Sequence, residues 1–390
     1  RTSKKTGIKY SLKLFPIGAS VRFVGEEGMG EEMSEDPDSF NLKPAWKRAI
    51  VLITGAGVNI LSGMIALTIL FNIIGFQTTE ISGAKENSQA AEAGLDEGYK
   101  VVSVNGAGIS TSIDYLIEMS FIPADKAVDL VVKDQKTGNV KNLSLTPVKI
   151  KRYVLGITMD LRVESGGVKI IGVDPGSNGN APVFEEGDIL LDINGVSTAD
   201  DFEKASAEIS GSNGEPIQAR ILRDGKEIIV SAIPAEREYY SERGIVFSSD
   251  GGFLPSVTES FKYSVSIIKL TFKSIAKIFT GDIAAKDSLS GPVGVVAVVG
   301  SMVSSEASAA EKLIELLWMF ALISLNLGVF NLLPIPALDG SHLLLLAVEK
   351  IRGRRLSAKV QTAIVMTGFF FIICLAVLGL VFDIMRLTGN

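Results

Sequence analysis

One carboxylate set between two apolar stretches is the residue of this chain best placed to do chemistry. It lies in Asn331-Leu332-Leu333-Pro334-Ile335-Pro336-Ala337-Leu338-Asp339-Gly340. Before it runs an apolar segment, Leu316 to Phe330, interrupted only by Ser324, Asn326 and Gly328; after it comes a second, Leu343 to Val348. A carboxylate in such a region costs roughly 2.5–3.5 kcal/mol on insertion scales, so it ordinarily has a partner or a task. Pro334 and Pro336 forbid regular helical hydrogen bonding. Irregular backbone at membrane depth must be buried in protein or line a cavity. Two readings stay open on spacing alone: a polar site within a membrane, or a proline-rich helix end with Asp-Gly as an interfacial turn.

The elements that would hold such a site are legible from hydropathy and charge. The chain is 47% hydrophobic yet 21% charged, which a purely membranous protein could not carry, so spans and soluble domains are both expected. Residues 49–76, 312–340 and 361–386 are long and apolar enough to cross a bilayer. Lys43, Lys47 and Arg48 precede the first, and Lys350, Arg352, Arg354, Arg355 and Lys359 fill the loop before the third. The positive-inside rule makes both regions cytoplasmic and puts the long insert between the first two spans on the extracytoplasmic side. A net charge of −6 argues against a nucleic-acid partner. The one cysteine, Cys374, excludes an intramolecular disulfide framework and reads as a small buried hydrophobe. The chain begins at Arg1, without methionine or a signal-peptide pattern, and is expected to be N-terminally truncated.

The insert repeats itself. Glu97-Gly98-Tyr99-Lys100-Val101-Val102-Ser103-Val104-Asn105-Gly106 returns as Glu186-Gly187-Asp188-Ile189-Leu190-Leu191-Asp192-Ile193-Asn194-Gly195. Each copy reads as a strand closed by an Asn-Gly turn, then a helix (Ile113–Phe121, Asp200–Ile209) and a strand pair. With Ala90-Ala91-Glu92-Ala93-Gly94-Leu95 ahead of the first strand, the copies, at 78–150 and 151–238, resemble PDZ domains. The resemblance implies binding of peptide C-termini by strand addition beside a short glycine-containing loop. In the second copy Leu155, Gly156 and Ile157 are the candidates for that loop; a spacer role for either copy stays open. Residues 253–280 carry apolar residues at helical spacing with lysines interleaved. They are expected to form an amphipathic helix at the membrane interface, or a helix packed on the repeated pair. Residues 1–28 alternate as a β-hairpin around Pro16-Ile17-Gly18.

The order of these parts resembles the site-2 protease family of intramembrane zinc metalloproteases, in its bacterial RseP type. The motifs that carry the resemblance are Asn326-x4-Asn331-x2-Pro334-x-Pro336-x2-Asp339-Gly340, Gly55-x3-Asn59 in the first span, and the Tyr10 to Gly18 hairpin. It implies a polytopic α-helical membrane protein with an N-terminal membrane-associated β-hairpin and two inserted PDZ-like α+β domains, in the bacterial cytoplasmic (inner) membrane. It further implies a Zn2+ ion held by the two histidines of H-E-x-x-H and by Asp339, with the motif's glutamate as general base. This sequence prints no H-E-x-x-H and no general base. Its one histidine, His342, falls three residues after Asp339, and a ligand role there is not expected. The resemblance also makes Asn59, Asn326, Asn331, Pro334 and Pro336 candidates to bind an unwound substrate backbone; ordinary interhelical hydrogen bonding is the alternative. The implied substrates are single-span membrane proteins, such as anti-sigma factors or signal-peptide remnants, already shortened by another protease. The rival reading is a non-catalytic membrane adaptor or pseudoprotease that displays peptide-binding domains.

Overall fold

No charged side chain interrupts the chain from Ala49 to Ile74, and this stretch forms most of one helix, α1 (Ala45–Ile74). Its 30 residues span about 45 Å, more than the roughly 30 Å of a bilayer's hydrocarbon core. Gly75, at φ 76°, ends it by donating its N–H to the Phe71 carbonyl at 3.0 Å. Phe76 therefore opens a strand, where the sequence had placed the last residue of the span. The computed structural model describes residues 39–281, 291–304, 307–354 and 356–387; the expected hairpin at 1–28 lies outside the described residues.

Two sheet modules follow. The first contains β1 (Phe76–Ala84), α2 (Gln89–Glu92), β2 (Tyr99–Val104), β3 (Ala107–Gly108), α3 (Ser112–Ser120), β4 (Val128–Asp134) and β5 (Val140–Leu145). A linking strand, β6 (Lys149–Val154), leads to β7 (Ile157–Glu164), β8 (Gly167–Val173), β9 (Ile189–Ile193), β10 (Val196–Ser197), α4 (Phe202–Gly211), β11 (Ile217–Arg223) and β12 (Lys226–Ala232). Then come β13 (Ala235–Tyr240) and β14 (Ile245–Asp250). The sheet orders are β14-β1-β2-β4-β5 and β7-β8-β9-β11-β12, with β3 and β10 paired to β2 and β9. Asn105-Gly106 and Asn194-Gly195 all take positive φ, as the tight turns after β2 and β9 demand. Each asparagine side chain accepts a backbone N–H across the sheet, from Asp129 at 2.8 Å and from Gln218 at 3.0 Å.

The two sheets match strand for strand, except that β14 stands in the first where β7 stands in the second. The outer strand of the first sheet thus comes from beyond the second module, outside the 78–150 range drawn from the repeat. The cause is packing: Phe247 of β14 joins the first core and meets Tyr115 of α3 edge-on at 4.9 Å. Likewise β6 and β13 leave both modules to form a separate two-stranded ribbon.

Five more helices are described: α5 (Phe253–Thr280), α6 (Pro292–Ser304), α7 (Ala309–Leu332), α8 (Asp339–Arg352) and α9 (Ala358–Leu387). Among the described residues α1, α7 and α9 are long and apolar enough to cross a membrane, with mean hydropathies of 2.1, 2.0 and 2.8. The second expected span, 312–340, is cut short at Leu332 because Pro334 cannot continue a helix. By its contacts the chain divides into two units, one of Arg1–Gly63, Thr280–Val295 and Leu322–Asn390, the other of Met64–Phe279 and Val296–Ala321.

Within the second unit α5 is built the reverse of an ordinary surface helix. Its small and polar residues Ser256, Glu259, Ser260, Ser264 and Ser266 are buried. Ser260 shares a hydrogen bond with Thr68 of α1 at 2.8 Å, and Ser266 with Thr111 of α3 at 3.0 Å. Lys273 reaches Glu118 at 2.6 Å and lies over the Phe121 ring. Outward it presents Leu254, Val257, Phe261, Val265, Phe272 and Phe279, one apolar stripe at helical spacing.

Candidate functional site

Asp339 is delivered by a turn rather than forming one. The Leu338 N–H bonds to the Ile335 carbonyl at 3.1 Å, Pro336 occupies the second position, and Ala337 takes φ 76° at the third. That is the signature of a type II turn, in which the third position usually belongs to glycine. A left-handed alanine costs roughly 1–2 kcal/mol, so the surrounding packing must hold it. Asp339 and Gly340 then open α8, so the alternative of an interfacial Asp-Gly turn is not what forms. A carboxylate in the first turn of a helix is favoured by the unpaired N–H groups there.

Glycines set how closely the neighbouring backbones approach this loop. A Cβ at Gly340 would overlap the carbonyls of Leu332 and Leu333, so the first turn of α8 is pressed on the end of α7. A Cβ at Gly328 of α7 would lie 2.6 Å from Ile60 Cγ1 and 2.8 Å from the Ala56 carbonyl of α1. A Cβ at Gly55, also on α1, would have Asp339 Oδ2 as its neighbour at 3.7 Å. So α1, α7 and the turn converge on the half-buried Asp339, with Gly55 facing its carboxylate. Asn59 lies one turn beyond Gly55 on the same face of α1. Farther along α8, Arg48 meets Glu349 at 3.5 Å, and both side chains are nearly buried.

The expected substrate-binding residues sort by element. Asn326 and Asn331 are half-buried on α7, and Asn59 is half-buried on α1. Among the described residues the amides of Asn59 and Asn331 are tied to no other side chain, which leaves a donor and an acceptor available on each. Pro334 is exposed and Pro336 half-buried. His342 is exposed on α8, and Cys374 is exposed on α9 rather than buried. In a span, exposure to the surroundings means exposure to lipid, so a small apolar thiol carries no penalty there.

A second site lies in the second module. Leu155, Gly156 and Ile157 line a cavity of ≈ 600 Å³ together with Met159 of β7 and Ser206, Ile209 and Ser210 of α4. Gly156 takes φ 69°, and a Cβ there would come within 2.9 Å of Ser177 Cβ. Arg152 and Arg237 also line it, the latter paired with Asp174. The first module carries the same loop where the repeat gave no hint of it: Arg243-Gly244-Ile245, with Gly244 also at φ 69°. Here the protein's own side chains bridge this loop and strand to α3. Arg243 donates to the carbonyls of Ile122 and Pro123 at 3.2 Å each, just past the end of α3. Four residues after the helix cap, Tyr115 of α3 fills the space over β14, where α4 has Ala205. The short pattern Gly-Ile shared by the two loops was the available signal.

Ahead of β9 in the second module, Asp188 is 2% exposed and bound by Arg223, Nε to Oδ1 at 2.8 Å and Nη2 to Oδ2 at 2.7 Å, with the Glu185 N–H at 2.8 Å. Burial alone would raise its pKa, but these hydrogen bonds outweigh it and hold the carboxyl below the usual carboxylate range. In the first module Tyr115 is pushed up to about 12 by burial.

Residues 1–375 match the family described as Peptidase family M50. The chain belongs to peptidase family M50. This M50 chain is 27% identical over 415 residues to Protease RseP of Yersinia pestis, covering 99% of this chain and 89% of that one. To Regulator of sigma-E protease RseP of Escherichia coli strain K12 it is 25% identical over 420 residues, again 99% and 89%. Further relatives carry "zinc metalloprotease" in their names. Among solved structures it is similar to the HtrA3 PDZ domain bound to a phage-derived ligand (FGRWV), at 20% identity and a TM-score of 0.20, covering 23% of this chain and 92% of that one.

Zinc of the kind those names imply needs three protein donors and an open fourth position. Among the described residues no three His, Cys, Asp or Glu side chains converge. Asp339 offers one oxygen donor, and the single histidine faces outward on α8. The described residues therefore do not by themselves complete a zinc site.

Proposed function

We propose that this M50 chain is an intramembrane zinc endopeptidase, with Asp339 as a carboxylate ligand to the metal. The observation that carries the reading is the Asp339 side chain facing Gly55 of α1 at the turn that ends α7. Asn59, one turn beyond Gly55 on α1, and Asn331, near the end of α7, carry half-buried amides that are tied to no other side chain among the described residues. A substrate helix can be cut only after its backbone is opened, and opened backbone in lipid needs replacement partners. Side-chain amides suit that task, as does the Pro334–Pro336 stretch, where only Ile335 keeps a backbone N–H. The substrates would be single-span membrane proteins, such as anti-sigma factors or signal-peptide remnants, in the bacterial cytoplasmic membrane.

The two modules serve as PDZ-like filters on the extracytoplasmic side, and the second is the receptor. Its groove offers an edge strand, a glycine loop and apolar side chains from Leu155, Ile157, Met159 and Ile209, which suit the C-terminus of a shortened substrate. The outward apolar stripe of α5 would rest on the membrane surface, with its polar face kept on the first module. The test is expression from the full reading frame, comparing wild type with Asp339→Asn for cleavage of a single-span substrate in membranes. Cleavage is expected to fall at least 100-fold, and undiminished cleavage by the mutant would refute the assignment. A non-catalytic adaptor is the second reading, favoured by the incomplete donor set. It predicts peptide binding by the second module with no zinc in the purified protein.

A further inference from the structure

The last helix bears directly on the Asp339 turn. Over the residues of α9 whose burial is described, only Gly368, Gly379 and Asp383 are buried. These define two points of attachment, about 16 Å apart along the axis at 1.5 Å per residue. At one, a Cβ on Gly368 would overlap the Pro336 carbonyl carbon, oxygen and Cβ. At the other, Asp383 accepts the N–H of Gly291 at 2.9 Å and of Gly294 at 2.8 Å, closing the start of α6. Gly291 is itself pressed on Gly379: a Cβ there would lie 2.7 Å from the Gly379 carbonyl carbon.

We propose that Gly368 is a positioning residue for Asp339, seating the type II turn against a strut whose far end is fixed by Asp383. Three facts lead there. The atoms that abut Gly368 are backbone atoms and a ring carbon of Pro336, so no rotamer change relieves an added methyl. Pro336 has its φ locked, so a push at its carbonyl is carried into Ala337 and on to Asp339 instead of being absorbed. Ala337 already sits in a strained conformation that only its surroundings maintain. The inference rests on the assignment of Asp339 proposed above.

Two readouts separate positioning from general stability. In the protein expressed from its full reading frame, Gly368→Ala should lower kcat for a single-span substrate by 10- to 100-fold while KM stays within twofold; a displacement of about 1 Å has that order of effect. In a Cys374→Ser background, Asp339→Cys is alkylated with N-ethylmaleimide in membranes, and adding Gly368→Ala should change the rate at least fivefold. Gly300→Ala, in open space on α6, should change neither. If Gly368→Ala does not accumulate, Asp383→Asn weakens the far attachment and should shift alkylation at position 339 by threefold or more. The proposal is overturned if alkylation stays within twofold in the variants that accumulate, whether or not turnover falls, since lost packing alone would give that result. Alkylation reports position regardless of chemistry. A shifted rate alongside normal cleavage by Asp339→Asn would therefore discard the role of Asp339 and leave the positioning intact.

Discussion

Replacing Arg223 with alanine strands a buried carboxylate in the second module, and the cost follows from its contacts. Asp188 is 2% exposed and receives two of its three hydrogen bonds from that guanidinium. Removing one partner of a buried pair costs about 3–5 kcal/mol. Arg223 is a quarter exposed, so water can follow it out, and the low end, about 3 kcal/mol, applies. At 1.36 kcal/mol per decade this is on the order of 150-fold in the local opening equilibrium. The assay is amide hydrogen exchange on the full chain in nanodiscs, following β8 and β9, whose ladder flanks Asp188. Protection of those amides should fall about 150-fold at pH 7 while β2 and β4 of the first module are unchanged. The pH dependence has a definite sign. In the wild type the folded pKa of Asp188 is depressed, so its stabilisation is complete above the unfolded value near 3.9 and is lost as pH falls through the lower folded value. In the variant the buried carboxyl takes up a proton more readily, so the penalty should shrink toward acid. Protection within about threefold of wild type at pH 7 would refute the reasoning.

Other outcomes are expected. Gly340→Ala should cost roughly 1–3 kcal/mol of thermal stability through overlap with the Leu332 and Leu333 carbonyls, and should abolish cleavage although Asp339 is retained. At the strained turn Ala337→Gly should be tolerated or raise the melting temperature, whereas Ala337→Val should lower it, as measured by unfolding in detergent. Ile209→Lys should remove binding of a peptide with an apolar C-terminus, read by fluorescence anisotropy, and Tyr115→Ala in the first module should leave it within twofold. Glu349→Ala should lower the melting temperature, because it leaves Arg48 without this partner in a nearly buried setting.

Patterns with a period or a strong local cause were legible in the chain. Uncharged runs announced α1, α7 and α9, and the Asn-Gly turns located β2 and β9 because few other dipeptides accept that backbone. Pro334 marked the end of α7, though the expected span ran past it to residue 340. The contacts around Asp339 were not legible. Gly368 is one glycine in an apolar run, and nothing local says that its face meets Pro336. Ala337 shows no sign of its left-handed conformation, which the surrounding turn imposes. The polar contacts of α5 with α3 were also hidden, since serine at helical spacing is compatible with either a solvated or a buried face.

The placement of β14 has a consequence for biogenesis. Because the outermost strand of the first sheet is encoded after the whole second module, a ribosome must emit residues through Asp250 before that sheet can be finished. Until then β1 presents an unpaired edge of the kind that invites wrong pairing between chains. The second module, by contrast, has every strand of its sheet within one continuous segment and can close first. A nascent chain halted near Tyr240 would carry one complete module and one open one. No single cut in the polypeptide could separate the pair without removing a strand from the first.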